Sequence, residues 1–130
     1  MNKPTINVTV IKEDAGYSAN AIQGNSFIAS ERDTFEDLKA NILEAVNLAF
    51  EDKGISYIID EMKFTYDLES FFDFYKVINA KALSERIGMN QSLLAQYIKG
   101  IKKPSPAQSN RILRGVQQIS RELSDVQFLL

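Results

Sequence analysis

Residues 81–100 read KALSERIGMNQSLLAQYIKG, and this stretch decides how the back half of the chain folds. Leu83 and Ile87 stand four apart, so they share one helix face. Gly88 follows where that helix must stop and turn sharply. Met89 is an apolar plug after the turn, and Leu94 and Tyr97, three apart, face inward from a second helix. Ser84 is small, which lets the second helix cross closely. A helix-turn-helix needs this set: a small residue, a glycine turn, and apolar contacts that fix the crossing angle. The residues left outside are Asn90, Gln91, Ser92, Gln96 and Lys99. Amides and hydroxyls there suit base edges, because Gln or Asn pairs with adenine through two hydrogen bonds. An ordinary helical hairpin with a polar face has the same spacing, so the flanks carry the distinction.

On the C-terminal side, Gly100-Ile101-Lys102-Lys103-Pro104-Ser105 puts two lysines just after the second helix, where they can sit on phosphates, and Arg111 and Arg114 follow. From Lys76 to Arg121 there are nine Lys and Arg against one acid, Glu85, a balance of +8. The first sixty residues hold five bases and ten acids, a balance of −5, so the net charge of −2 hides a split. A basic compact helical segment is the usual footprint of a surface that meets phosphates. Further helices are expected on either side: one lined by Phe71, Phe72, Tyr75 and Ile78, and one over Gln108 to Leu123 with Ile112, Leu113, Val116, Ile119 and Leu123 as its apolar stripe.

The front half has the other period. Ile6, Val8 and Val10 alternate with Asn7 and Thr9, as in a half-buried strand. Asp14-Ala15-Gly16 and Gln23-Gly24-Asn25 are turn signals. They separate strands expected at Tyr17–Ile22 and Phe27–Ser30, an antiparallel meander. Thr34 then caps an amphipathic helix on which Phe35, Leu38, Ile42, Ala45, Val46, Ala49 and Phe50 recur at steps of three and four, ending near Lys53-Gly54. Residues 55–61 fit a strand or an apolar loop equally. Met62, Phe64 and Tyr66 alternate as a fourth strand. The fold class expected is α+β: a β-β-β-α-β sheet-and-helix domain over residues 1–66, then an all-α helix-turn-helix domain over residues 67–130.

Composition removes several chemistries. The chain has neither Cys nor His, which excludes a thiol nucleophile, an imidazole base and a His/Cys zinc site. No catalytic residue, metal or cofactor is expected; the acids on the strands are scattered and read as surface charge. The start, Met1-Asn2-Lys3-Pro4, lacks an apolar signal region, and no apolar run approaches a membrane span, so a cytoplasmic protein is expected.

Two resemblances extend this reading. Phe71 to Leu123 resembles a Cro/repressor-type (Xre-like) helix-turn-helix domain, the run from Gly88 through YIKGIKKPS being similar to that family's recognition helix and following loop. The resemblance implies base contacts at Gln91, Ser92 and Gln96; Ser84, where the family often has alanine, and Ile98, where it has a polar residue, depart from it. The stretch VIKEDAGYSANAIQGNSFIASERDTFEDLKANILEAVNLAFED resembles the HicB-type antitoxin domain, a truncated ribonuclease-H-like unit. Gly16-Tyr17, Gly24 and Thr34-Phe35-Glu36-Asp37 carry the likeness, while Ala21 to Ser26 replaces the family's proline-rich turn. Together they imply an antitoxin that blocks a small basic ribonuclease toxin and binds its own operator as a homodimer or larger homo-oligomer. Asn90, Gln91, Ser92, Gln96 and Lys99 would meet bases, and Lys102, Lys103 and Arg111 phosphates. Glu31, Asp33, Glu36, Asp37 and Glu44 would face the toxin. Two alternatives stay open at this point: a plain repressor whose front domain only oligomerises, and an RNA-binding degenerate nuclease module.

Overall fold

Alternation in the front half produces the sheet it predicts. The structure, a computed structural model, describes residues 3–23 and 26–129. β1 (Ile6–Lys12), β2 (Tyr17–Gln23) and β3 (Ser26–Arg32) form the antiparallel meander, with Val8 opposite Ala21 and Ala21 opposite Ile28. The strands run one or two residues beyond their expected ends. The turn expected at Gly24 and Asn25, the start at Met1 and Asn2, and Leu130 lie outside the described residues. α1 (Phe35–Ala49) crosses one face of the sheet, and β4 (Met62–Tyr66) returns parallel to β1, giving the order β3-β2-β1-β4. The fold is thus α+β, with a mixed four-stranded sheet.

Ile6, Val8 and Val10 turn every second side chain onto α1, which answers with Phe35, Leu38, Ile42 and Val46, all buried. Thr34 caps α1 by accepting the Asp37 N–H at 3.2 Å, as its sequence predicts. The helix stops at Ala49, short of the expected Gly54; a tight 3-10 turn, Glu51–Lys53, fills the interval, and Gly54 closes it with φ of +67°. Residues 55–61 resolve as a loop ending in a second 3-10 turn, Ile59–Glu61.

The expected domain boundary is corrected. α2 (Leu68–Phe74) belongs to the sheet unit, and the division falls between Phe74 and Tyr75. The reason is aromatic: Phe74 stacks on Phe35 with centroids 3.7 Å apart and lies 4.4 Å from Tyr17. Such pairs add about 0.5–1.5 kcal/mol each beyond the area they bury. Tyr75 and Ile78, expected on the same helix as Phe71, fall outside it.

The second unit holds three helices: α3 (Ala80–Ile87), α4 (Gln91–Ile98) and α5 (Pro106–Ser124). Leu83, Met89, Leu94 and Ile112 are its buried apolar residues among those described. No helix among the described residues is long and apolar enough to cross a membrane.

Candidate nucleic-acid interface

α3 begins on Asn79, whose side chain accepts the Ala82 N–H at 2.9 Å, and it ends where Gly88 takes φ of +68°. That left-handed conformation is costly for a residue with a Cβ. The Met89 N–H closes the turn onto the Ser84 carbonyl at 2.9 Å, satisfying a carbonyl that the helix leaves over. Met89 then drops into the core, and Ser84 is buried with its hydroxyl donating to the Lys81 carbonyl at 2.6 Å. The turn therefore forms as the sequence predicts.

Asn90, expected to meet a base, has a structural task in α4. Its carbonyl oxygen accepts the Leu93 N–H at 3.1 Å, so it caps α4 instead of leaving its whole amide for a ligand. Gln91 and Ser92 open α4 on its exposed side, Gln96 follows half-buried, and Leu94 points into the core. Lys99 is the C-cap of α4, about 12 Å along the axis from Gln91 at 1.5 Å per residue. The chain after α4 folds back: the N–H groups of Ile101 and Lys102 both reach the Gln96 carbonyl, at 2.9 and 3.3 Å. That return sets exposed Lys102 and Lys103 beside Lys99 at the end of the helix.

Arg111, expected on a phosphate, makes hydrogen bonds within its own unit. Its Nε donates to the Ile87 carbonyl at 3.1 Å and its Nη2 to the Gly88 carbonyl at 2.7 Å. The guanidinium thus ties α5 to the α3–α4 turn, and three of its five donors are engaged once Gln108 is counted at 3.4 Å. In the structure it holds the turn.

Gly115 is the residue that sequence reasoning missed. A Cβ there would lie 2.5 Å from Ile87 Cγ2 and 3.2 Å from Leu83 Cδ1, so its bare backbone sets the approach of α5 to α3. The available signal was a glycine inside an otherwise strong helix, which points to a close packing contact. Arg86 and Glu122 join the same two helices through a double hydrogen bond at 2.8 and 3.0 Å. Arg86 holds the Glu122 carboxyl below the usual carboxylate range, helped by Gln118.

On the sheet unit Glu31 stands apart from the rest of the expected acidic set. All five residues are exposed, but Glu31 projects from β3 on the sheet face opposite α1, alternating with buried Ile28 and Ser30. Asp33 sits in the connection, Glu36 and Asp37 in the first turn of α1, and Glu44 farther along that helix. Among the described residues no three acid, His or Cys side chains converge as a metal-ligand set. Comparison of the chain with protein-family models, curated proteins and solved structures found no match.

Proposed function

We propose that the protein is a bifunctional regulator: its helical unit binds duplex operator DNA, and its acidic sheet unit neutralises a small basic ribonuclease toxin. The observation that supports the first part is the α3–Gly88–α4 arrangement, two helices joined at a doubly tied glycine turn, the second of which carries Gln91, Ser92 and Gln96. In that reading α4 enters the major groove, its first turn and Gln96 read base edges, and Lys99, Lys102 and Lys103 neutralise the flanking backbone. Asn90 contributes at most the free amide nitrogen beside its capping oxygen. The +8 balance of this segment supplies the sequence-independent attraction.

The antitoxin part is supported by the β-β-β-α-β order, which the HicB-type resemblance implies, and by the −5 balance of the first sixty residues. A protein that cuts RNA carries a basic surface, and an acidic unit covers it by charge complementarity. The protein would work as a homodimer, since one helix-turn-helix reads too few base pairs to be specific.

Selection of bound sequences from random duplexes at moderate salt tests the DNA part: a consensus with two half-sites is expected, and recovery of unenriched sequence would refute it. Co-expression of the full chain with the toxin encoded beside it tests the other part. Rescue of growth is expected. Enrichment of a DNA consensus without rescue would leave a plain repressor.

A further inference from the structure

α1 carries a second stripe that the sheet does not use. Its sheet-facing residues are Phe35, Leu38, Ile42 and Val46. Leu43, Glu44, Asn47, Leu48 and Glu51 recur at steps of three and four on a neighbouring side, and with Ile55 they line a groove of about 620 Å³. Leu48 is 64% exposed in it, while Leu43 and Ile55 are half-buried. Glu44 and Glu51 stand exposed among these apolar side chains, and no Lys or Arg is among the described residues that line the groove.

The wall opposite the helix is built rather than loose. Asn47 Nδ2 donates to the Tyr57 carbonyl at 3.1 Å, and the Tyr57 N–H donates to Asn47 Oδ1 at 2.6 Å, so one side-chain amide clamps the 54–57 chain to α1. Tyr57 is anchored in turn: its ring meets Phe50 edge-on at 5.6 Å and its hydroxyl donates to the Pro4 carbonyl at 2.6 Å. A preformed groove loses little ordering entropy when it is filled.

We infer that this groove is a docking site for a basic amphipathic helix of a protein partner. The apolar side of that helix would lie on Leu43, Leu48 and Ile55, and its Lys or Arg residues would meet Glu44 and Glu51. Helix-in-groove recognition uses this combination of apolar anchors at helical spacing with charge at the rim. The identity of the partner as a toxin rests on the antitoxin reading above. The site itself rests on the groove, and it moves the contact from the first turn of α1, with Glu36 and Asp37, to the side of the helix beyond it.

The test uses the full chain and two synthetic probes, an amphipathic helix of leucine and lysine and its leucine and glutamate counterpart, followed by fluorescence anisotropy. The lysine peptide should bind and the glutamate peptide should not. Leu48→Glu, and separately Glu44→Lys with Glu51→Lys, should weaken binding about tenfold or more, as loss of a central anchor does. Glu36→Lys with Asp37→Lys, the same charge change outside the groove, should retain it. All five substituted side chains are exposed, so circular dichroism should show every variant folded. Equal loss in both charge-reversed pairs, or undiminished binding in the groove variants, would overturn the site. Growth rescue separates the two ideas: groove variants that rescue as well as wild type sink the groove alone. A wild type that binds the peptide but does not rescue sinks the antitoxin reading alone.

Discussion

Replacing Gly115 by alanine sets two opposing effects against each other on one atom. Gly115 lies inside α5, where alanine is favoured over glycine by about 0.8–1 kcal/mol on helix propensity. On an open helix face the substitution would therefore stabilise. Here the new methyl would sit 2.5 Å from Ile87 Cγ2, closer than real Cβ contacts occur, and 3.2 Å from Leu83 Cδ1. Neither neighbour yields easily. Ile87 is β-branched and stiff at χ1, and Leu83 is 2% exposed and packed on all sides. Overpacking of this kind costs about 1–3 kcal/mol. The balance is a net loss of about 0–2 kcal/mol, which in a unit of this size lowers Tm by up to roughly 15 °C. Urea unfolding followed by far-UV circular dichroism measures it. Combining Gly115→Ala with Ile87→Ala should recover part of the loss, because the second change removes the atom that the first one meets; a coupling of about 1 kcal/mol is expected for residues in contact. A rise in stability for Gly115→Ala alone, or strict additivity with Ile87→Ala, would refute the packing argument.

Other substitutions separate reading residues from holding residues. Gln91→Ala or Gln96→Ala should cost about 1–3 kcal/mol of specific DNA binding and relax preference at one base position. Lys102→Ala with Lys103→Ala should weaken all sequences alike and reduce the salt slope by about 2 in a titration, and an unchanged slope would remove them from the backbone. Arg111→Ala should lower the melting temperature, because it frees two turn carbonyls, yet leave the salt slope of any remaining binding nearly unaltered; the opposite pattern would restore it as a phosphate contact. The lowered Glu122 carboxyl stabilises the fold above the ordinary glutamate range, and that contribution is lost as pH falls through its lowered value, while Arg86 stays charged throughout. Glu122→Gln should therefore melt below wild type at neutral pH and alongside it in acid, and a gap that persists in acid would show that the ion pair is not its source.

What was legible in the sequence follows how local each cause is. The alternation of Ile6, Val8 and Val10 and the 3.6 period from Phe35 to Val46 are local patterns, and the corresponding strand and helix appear where they predict. The glycine turn at Gly88 is equally local, since one backbone conformation demands that residue. The boundary was misplaced because Phe71 and Phe74 carry a helical period whichever unit they join; the contacts of Phe74 with Tyr17 and with Phe35, the latter thirty-nine positions away, decide it. Arg111 shows the same limit inside the candidate site. A basic residue near a recognition helix reads as a phosphate contact, and nothing in its neighbours reveals that the carbonyls of Ile87 and Gly88 lie within its reach. The acids show a similar limit: residue type and exposure are legible, but which of them border the groove beside Leu48 depends on the loop that Asn47 clamps.

A second copy of the chain is expected to pair with the first through the far end of α5. α5 has nineteen residues and α3 eight, about 28 Å against 12 Å at the usual rise. The apolar stripe of α5 therefore outruns its cover. Leu113, expected in the stripe, is 51% exposed; of the rest, Ile112 is buried, Val116 and Ile119 are half-buried, and Leu123 is 64% exposed. Val126 and Phe128 continue the exposed series, Phe128 at 84%. A three-helix unit with so few buried apolar residues is small for independent stability, and a two-fold pairing of these ends would add core to both copies. It would also set two α4 helices for half-sites about 34 Å apart or a multiple of that distance. Sedimentation at micromolar concentration should give a dimer. Leu123→Lys with Phe128→Lys should give a monomer that loses most specific DNA affinity, while peptide binding at the α1 groove persists, because the substituted residues belong to the other unit. A wild-type monomer, or a dimer indifferent to both substitutions, would place the pairing surface elsewhere or nowhere and leave the exposed end of α5 without this role.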